Sequence, residues 1–507
     1  MPEIWLILAM AAVILVPFIQ RRSVFMPTIT TIVGLALALL ATVVSQTDAG
    51  RSVLHGALVI DPFSQFFKLL LIAATLLVVG QWLLYGQKRT AVYDTPDFLC
   101  LLLGATAGMS LMVSASNLLV MVIAIETASL PSYAMAGFAK RTRIGSESAL
   151  KYAVFGAAAS AVMIYGISLL YGLTGSLDLA TVSTRLAETG LSPLAAVGLA
   201  AMLAGIAFKL SAVPMHFWCP DVFEGAPTEV TTFLSVASKG AAVCLLVRVL
   251  HNFGAGAAAA RGELFMGLAI GVGLLGAVTA TWGNLVALRQ NNVKRLLAYS
   301  SIAHAGYMIM AVSLLAVAGL TGKAAQLGVL PRDISAAVLF YLLVYLFMNT
   351  GAFTVAAMVA DRTGSEDIRD YAGLMGRSPA VAVLLTLFLL SLFGMPGLGG
   401  FLAKFYLMIV MAKLGPAGFV LIAVLLINTL ISLYYYVRPV YYMAFVSDDQ
   451  DRPAFTPALA GLALLLVCAA ALLWTGLSGG TRLTRDYATL VTPGPDAMTE
   501  TRVVEAR

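Results

Sequence analysis

The sequence predicts an all-α membrane protein of about fourteen transmembrane helices, and three observations carry that prediction. Hydrophobic residues make up 60% of the chain and charged residues only 11%, whereas a soluble domain carries roughly 25% charged residues to face water. Mean hydropathy is +0.93, so most of the surface must face lipid. Finally, apolar runs of about the 20 residues needed to cross a bilayer follow one another along the chain, with no soluble domain between them.

The first three runs, near residues 4–19, 25–45 and 62–85, form an N-terminal segment spanning 1–90. Met1 to Ile19 has no Lys or Arg before its apolar stretch and no A-x-A site after it, which marks a first helix rather than a removable signal peptide. Five runs follow within 97–250 (97–114, 116–138, 149–173, 193–217 and 228–250), and five more within 264–446 (264–286, 295–320, 334–360, 380–412 and 416–446). A last run at 455–477 precedes a polar tail, 478–507, expected to be mobile.

Lys and Arg fall unevenly in alternate loops. One side holds Arg21, Arg22, Lys88, Arg89, Lys140, Arg141, Arg143, Arg289, Lys294, Arg295, Arg362, Arg369 and Arg377; the other holds Arg51, Arg185, Arg261, Lys323 and Arg332. Cytoplasmic loops carry the basic excess, so the first side is expected to be cytoplasmic and both termini periplasmic, in a bacterial inner membrane. Arg482 and Arg485 in the tail run against the bias. The net charge of +6 therefore reflects topology, and nucleic acid is not expected as a partner, because the cations form no single basic face.

Several chemistries are excluded. Cys100, Cys219, Cys244 and Cys468 stand singly, whereas iron–sulfur and structural zinc sites need clustered thiolates. Three of the four lie in apolar runs and are expected to pack as small hydrophobes. Gly271, Gly273 and Gly276 satisfy G-x-G-x-x-G, but inside an apolar run, without the strand that gives the pattern its dinucleotide meaning. Small residues that let helices pack closely suffice to explain it. No Walker loop, metal-ligand cluster or paired-carboxylate site is present, so no redox chemistry is expected of this chain.

Four charges stand where a purely structural span would avoid them. Glu126 lies in VMVIAIETASLPSYAM, Lys209 in LAGIAFKLSAVP, Lys239 in FLSVASKGAAVCLL and Lys404 in GLGGFLAKFYLM. A charge at mid-bilayer costs at least ~2.5–3.5 kcal/mol. Lys68, Lys151 and Lys413, near predicted helix ends, are expected to snorkel to the interface. A static ion pair is the bland alternative for the other four, but one acid cannot neutralise three lysines. Burial lowers a lysine's pKa and a nearby carboxylate raises it, which suits these groups to a proton relay. His304, in YSSIAHAGYMIM, is either a further relay group, since imidazole titrates near pH 6.5, or a neutral hydrogen-bonded histidine. His216 is expected at a loop or helix end. Asp221 and Glu224 are expected in a solvated cytoplasmic turn or as caps of the following helix.

Two of the charged runs also carry helix breakers. Pro214 and Pro220 follow Lys209, and GMPGLGG, 394–400, precedes Lys404. Non-helical backbone at membrane depth survives only where protein or water satisfies it, and interrupted helices mark ion paths in transporters built from inverted repeats. The interrupted runs are seventh and twelfth, five apart, which predicts two inverted five-helix repeats, 97–250 and 264–446.

The segment FKLSAVPMHFWCPDVFEGAPTEVTTFLSVASKGAA, 208–242, closely resembles the signature of the antiporter-like membrane subunits of respiratory complex I. IETASLPSYAM (125–135), ALKYAVFGAAASAVMIYGISLLYGLTGS (149–176), NNVKRLLAYSSIAHAGYM (291–308) and LLSLFGMPGLGGFLAKFYL (389–407) extend the resemblance across 60–446. SVASK stands where the L and M members and the related sodium/proton antiporter subunits carry a histidine-containing stretch, so the chain is most similar to the N members. No long lateral amphipathic helix follows the last span, which argues against the L type.

The resemblance implies that Glu126 modulates the Lys209 amino group of an input half-channel, that Lys239 connects, and that Lys404 serves an output half-channel. His304 falls where a polar residue continues the central axis. GMPGLGG is richer in glycine than the family's usual break. Implied partners are the other membrane subunits of complex I, including neighbouring antiporter-like subunits, the lipid bilayer and protons. NADH, FMN, iron–sulfur clusters and quinone are expected in other subunits, with no cofactor in this chain, which would be a non-redox subunit of a proton-translocating NADH–quinone oxidoreductase. Alternatives are a subunit of a multisubunit sodium/proton antiporter or of a related hydrogenase-type complex; a sodium site needs intramembrane carboxylate and oxygen ligands, and the chain offers Glu126 as its central acid.

Overall fold

The structure, a computed structural model, describes residues 1–19, 23–45, 50–87, 94–140, 142–190, 192–256, 263–318, 331–448, 452–478 and 481–488. Arg21, Arg22, Lys88, Arg89, Arg141, Arg261 and Lys323 lie outside these residues, as does most of the tail.

The spans follow the predicted order. They begin with α1 (Pro2–Ile19) and α2 (Phe25–Val44), then α3 (Pro62–Gln81), which runs on as a π-helical turn, Trp82–Gly86. Next come α4 (Thr95–Ser114), α5 (Leu118–Ala136) and α6 (Arg143–Thr174). A short helix, α7 (Leu179–Thr189), precedes α8 (Pro193–Leu210). It was not expected from the sequence; Leu179, Val182 and Leu186 tuck its apolar side into the bundle. After α8 come the short α9 (Trp218–Gly225) and the span α10 (Thr228–Gly254). Then follow α11 (Glu263–Ala287), α12 (Val293–Val312), α13 (Pro331–Thr363), α14 (Pro379–Phe393), α15 (Gly399–Ala412), α16 (Pro416–Phe445) and α17 (Leu459–Ser478). Thirteen of the described helices are long and apolar enough to cross a membrane. The run 380–412 is not one of them, because it is divided into α14 and α15; counted together, these two make the fourteenth span.

Helix ends sit where cap chemistry places them. The Asp61 side chain accepts from Ser64 N while Ser64 Oγ accepts from Asp61 N, a capping box at the start of α3. Asn117, Thr142, Asp178, Ser192 and Asn292 cap α5, α6, α7, α8 and α12 with a side-chain oxygen that accepts a first-turn backbone N–H. A two-stranded hairpin, β1 (Arg51–Val53) with β2 (Leu58–Ile60), leads into Asp61.

Burial is graded from inside to outside. The apolar windows of α10 and α12 are wholly buried and that of α13 nearly so, while α1, α6, α16 and α17 turn most of their surface outward. Glycines bring the inner helices together. A Cβ on Gly306 would meet Ala280 N at 2.4 Å and one on Gly276 would meet Met310 N at 2.7 Å, so α11 and α12 approach backbone to backbone. Gly276 therefore serves packing, as its apolar surroundings predict.

One expectation fails. Lys68 does not snorkel: it is buried and pairs with Glu3 at 2.7 Å, and Ser110 Oγ donates to the same carboxylate oxygen at 2.7 Å. Its run is long enough for the lysine to sit within the bundle once α1 brings a carboxylate across from the chain terminus. Thr481–Asp486 is helical, and Arg332 Nε donates to the Arg485 carbonyl at 3.0 Å. Lys413 caps the end of α15 and pairs with Asp333, while Lys151, just over two turns into α6, stays partly exposed and pairs with Glu147 and Asp221.

Candidate functional site: a buried line of lysines, hydroxyls and a histidine

Lys209 occupies the last turn of α8. The helix stops because Ser211 takes a left-handed conformation, φ 55°, and Pro214 follows. The Phe208 carbonyl, which keeps only the tight bond from Ser211 N at 3.0 Å, also accepts from Trp218 Nε1 at 3.0 Å, and Val213 N donates to Thr279 Oγ1 at 3.0 Å. The bonds to Trp218 and Thr279 satisfy interrupted backbone that hydrocarbon could not. The Lys209 amino group is buried and has no hydrogen-bonding partner among the described residues. It lies over the rings of Tyr133 and Tyr152, 5.9 and 6.0 Å from their centroids, within cation–π range. Tyr152 stacks in turn on Trp218, so the break and the lysine's surroundings are one packed unit.

The second break is built from the other direction. Gly394 ends α14 at φ 95°, and Gly397, φ 91°, turns the chain into α15. A Cβ on Gly400 would lie 1.8 Å from the Ser391 carbonyl oxygen, and Gly400 N donates to Ser391 Oγ at 3.3 Å. Those positions therefore demand glycine, which accounts for the richness of GMPGLGG. Lys404, on α15, reaches back so that Nζ donates to the Phe393 carbonyl at 2.7 Å and to Thr429 Oγ1 at 3.4 Å. In both breaks a side chain from beyond the interruption donates to a carbonyl at the helix end.

Lys239 follows a π-helical stretch, Leu234–Ser238, in the fully buried α10. Its amino group donates to Ser301 Oγ at 2.5 Å and to Cys219 Sγ at 3.3 Å, and it lies 5.4 Å from the Phe223 ring centroid. Cys219 is thus a lysine's neighbour. Ser301 is one turn before His304 on α12. His304 Nδ1 shares a hydrogen bond with the Tyr341 hydroxyl at 2.5 Å, and Nε2 one with the Tyr436 hydroxyl at 3.1 Å. Tyr436 also bonds Ser300 at 2.5 Å. Tyr307, three residues beyond His304, presents its ring to Lys404, Nζ to centroid 5.2 Å. Lys239, Ser301, His304, Tyr307 and Lys404 therefore follow one another as a buried polar line along α12, bonded at Lys239–Ser301 and in ring contact from His304 through Tyr307 to Lys404. Among the described residues none of the three lysines forms an ion pair.

Glu126 stands apart from this line. It is half-buried on α5 and accepts from Ser160 Oγ of α6; it makes no ion pair with Lys209. His216 lies buried within the first break, near Trp282. Asp221 and Glu224 are not a free solvated turn. Arg295 Nη1 donates to Asp221 at 2.8 Å and to Glu224 at 2.6 Å, and Lys151 bonds Asp221 at 2.7 Å. Burial works against the Asp221 charge, but the hydrogen bonds from Lys151 and Arg295 outweigh it and hold its carboxyl below the usual range.

The sequence reading missed three features. Asp61 and Arg248 form a buried ion pair, Glu229 is buried at the start of α10, and Tyr307, Tyr341, Tyr345, Tyr435 and Tyr436 cluster around His304. Arg248, in VCLLVRVL, carries the same signal as Lys239, a charge within an apolar run. The tyrosines carry none, because hydroxyls at i, i+4 look like ordinary aromatic packing.

The family described as NADH:quinone oxidoreductase/Mrp antiporter, TM, matches residues 115–432. NADH-quinone oxidoreductase subunit N of Anaeromyxobacter sp. (strain Fw109-5) is 39% identical over 463 residues, covering 86% of this chain and 85% of the relative. Subunit N of Desulfitobacterium hafniense is 42% identical over 407 residues, covering 79% of each. Among solved structures, respiratory complex I from Thermus thermophilus with bound aureothin contains a chain that is 32% identical with a TM-score of 0.75, covering 95% of this chain and 98% of that one. The Mrp complex from Dietzia sp. DQ12-45-1b shares the fold at 20% identity, with a TM-score of 0.78 and coverage of 100% and 98%. By a family match over most of its spans and by relatives alike along nearly their whole length, this chain belongs to the NADH:quinone oxidoreductase/Mrp antiporter family of membrane subunits, on its subunit N branch.

Proposed function

We propose that this chain is a non-redox, proton-conducting membrane subunit of NADH–quinone oxidoreductase. Protons enter from the cytoplasmic side at Lys209 and pass Lys239. They continue through the hydroxyls around His304 to Lys404 and leave on the periplasmic side. The observation that carries this reading is the line from Lys239 through Ser301 and His304 to Lys404, buried in the innermost helices and free of ion pairs. A lysine held by hydroxyls, a carbonyl and ring faces can lose its proton without stranding a carboxylate. Glu126 adjusts Lys209 by moving toward or away from it, since a nearby anion favours the charged amine. The interruptions at Ser211 and Gly394 support two inverted repeats, 97–250 and 264–446, each contributing a half-channel. Both termini face the periplasm in this arrangement, as the basic loops require. Quinone reduction in other subunits, which hold the NADH, FMN and iron–sulfur sites, supplies the drive.

The test uses the complete complex in proteoliposomes and the ratio of protons translocated to quinone reduced. Lys239→Ala and Lys404→Ala each lower the ratio, and the double variant lowers it no further, because groups in series are not additive. A parental ratio in both single variants refutes the assignment.

A further inference from the structure

The route just proposed makes no use of a second buried carboxylate. Glu229, in the first turn of α10, is 2% exposed. It packs where the π-helical turn of α3 meets α10: a Cβ on Gly86 would lie 2.1 Å from Glu229 Oε1, so the absence of a side chain at Gly86 makes room for the carboxylate. Glu229 lies at the same end of the bundle as Asp221 and Glu224, the end taken above as cytoplasmic. It stands ten residues before Lys239, about 15 Å along the helix.

Polar groups continue inward from it between α3, α10 and α13. Gln81 Nε2 donates to Thr354 Oγ1 at 2.6 Å and to the Thr350 carbonyl at 3.2 Å. Gln81 Oε1 is buried with no hydrogen-bonding partner among the described residues, and the buried Asn349 amide lies beside the Tyr345 hydroxyl. Leaving a buried polar atom unpaired is costly, so this seam is built to hold something that hydrogen-bonds, and water is the smallest such occupant. Tyr345, one turn from Asn349, shares a hydrogen bond with Ser235 of α10 at 3.3 Å, and its ring centroid is 5.3 Å from that of His304. The seam thus ends at the His304 cluster and one turn short of Lys239. It nowhere passes Lys209.

We propose that Glu229 is a second cytoplasmic proton-loading group, which feeds Lys239 and His304 through a hydrated seam lined by Gln81, Thr354, Asn349 and Tyr345, in parallel with Lys209. This rests on the proton-conducting function proposed above. A carboxylate takes up one proton and passes it to a seam water; no electron and no covalent bond to carbon is involved.

The experiment again uses the complete complex in proteoliposomes and the proton-to-quinone ratio. Glu229→Gln lowers the ratio and Glu229→Asp restores it. Lys209→Ala lowers it in part, and Lys209→Ala with Glu229→Gln brings it to the value of Lys239→Ala. Thr354→Val, nearly isosteric, removes the hydroxyl bonded to Gln81 and lowers the ratio in the Lys209→Ala background, which tests the seam even where Glu229→Gln does not assemble. If Lys239→Ala lowers the ratio but Glu229→Gln or Thr354→Val leaves it unchanged in the Lys209→Ala background, the second route is refuted while the main function stands. A parental ratio in Lys239→Ala refutes both.

Discussion

Replacing Asp61 with alanine should remove a large share of the stability margin of this chain. Two structural roles converge on that carboxylate. As the N-cap of α3 it accepts from Ser64 N at 2.9 Å, and it takes both of its oxygens to Arg248 Nη2, at 2.9 and 3.0 Å. The side chains are 0% and 1% exposed, and Arg248 Nε donates to the Val113 carbonyl at 2.7 Å. Loss of the cap costs about 1 kcal/mol. Removing one partner of a buried ion pair costs about 3–5 kcal/mol, because the other charge stays buried without its partner. Together that is about 4–6 kcal/mol, comparable with the 5–15 kcal/mol that usually separates folded from unfolded. The assay is the amount of chain assembled in membranes and its thermal unfolding after solubilisation. Asp61→Ala should be depleted and melt early, while Asp61→Ala with Arg248→Met should recover most of the loss, since an apolar pair of similar volume replaces a buried ion pair at little cost. If the single variant assembles and melts like the parent, or the double variant is the worse of the two, the ion pair does not hold α3 to α10 as argued.

Other expectations are narrower. Gly394→Ala places a side chain at φ 95° and a Cβ 3.2 Å from Lys404 Cδ. It should destabilise the chain by about 1–2 kcal/mol, read as a lowered unfolding temperature of the solubilised complex, whereas Gly364→Ala, also at positive φ but with nothing near its Cβ, should not disturb Lys404. The Asp221 carboxyl titrates below its ordinary value because Lys151 and Arg295 favour its charged form, with burial opposing them. Its contribution is therefore complete above the unfolded value near 3.9 and is lost as pH falls through the lower folded value. The difference in thermal stability between the parent and Asp221→Asn should be constant from pH 8 to 5 and shrink only in stronger acid; a difference already gone at pH 5 would contradict the clamp formed with Arg295.

Span order and both interruptions were legible because each rests on local rules: apolar length sets the spans, and Pro214 or the glycines of 394–400 set the breaks. Buried Lys209, Lys239 and Lys404 were legible for the same reason, since a charge inside an apolar run is anomalous wherever it folds. Lys68 shows the limit of that rule. Its fate depended on Glu3, 65 positions earlier, and a helix-end position read alone favours snorkelling. The tyrosines around His304 were hidden for another cause: an aromatic side chain that packs and one that bonds an imidazole differ only in where the hydroxyl lands. Glu229 sits at the start of a span, where a carboxylate looks like a cap or a solvated end until Gly86 is seen to make room for it.

The ring faces around Lys209 bear on how a distant event can reach it. An amine locked to a carboxylate answers mainly to that one partner, and remote charges move it little. Tyr133 and Tyr152 attract the ammonium through their ring faces without a directional bond to fix it. Such a group is poised rather than moored. Under the function proposed above, a modest change of potential arriving through adjoining helices would tip its occupancy more readily than that of a lysine paired with a carboxylate.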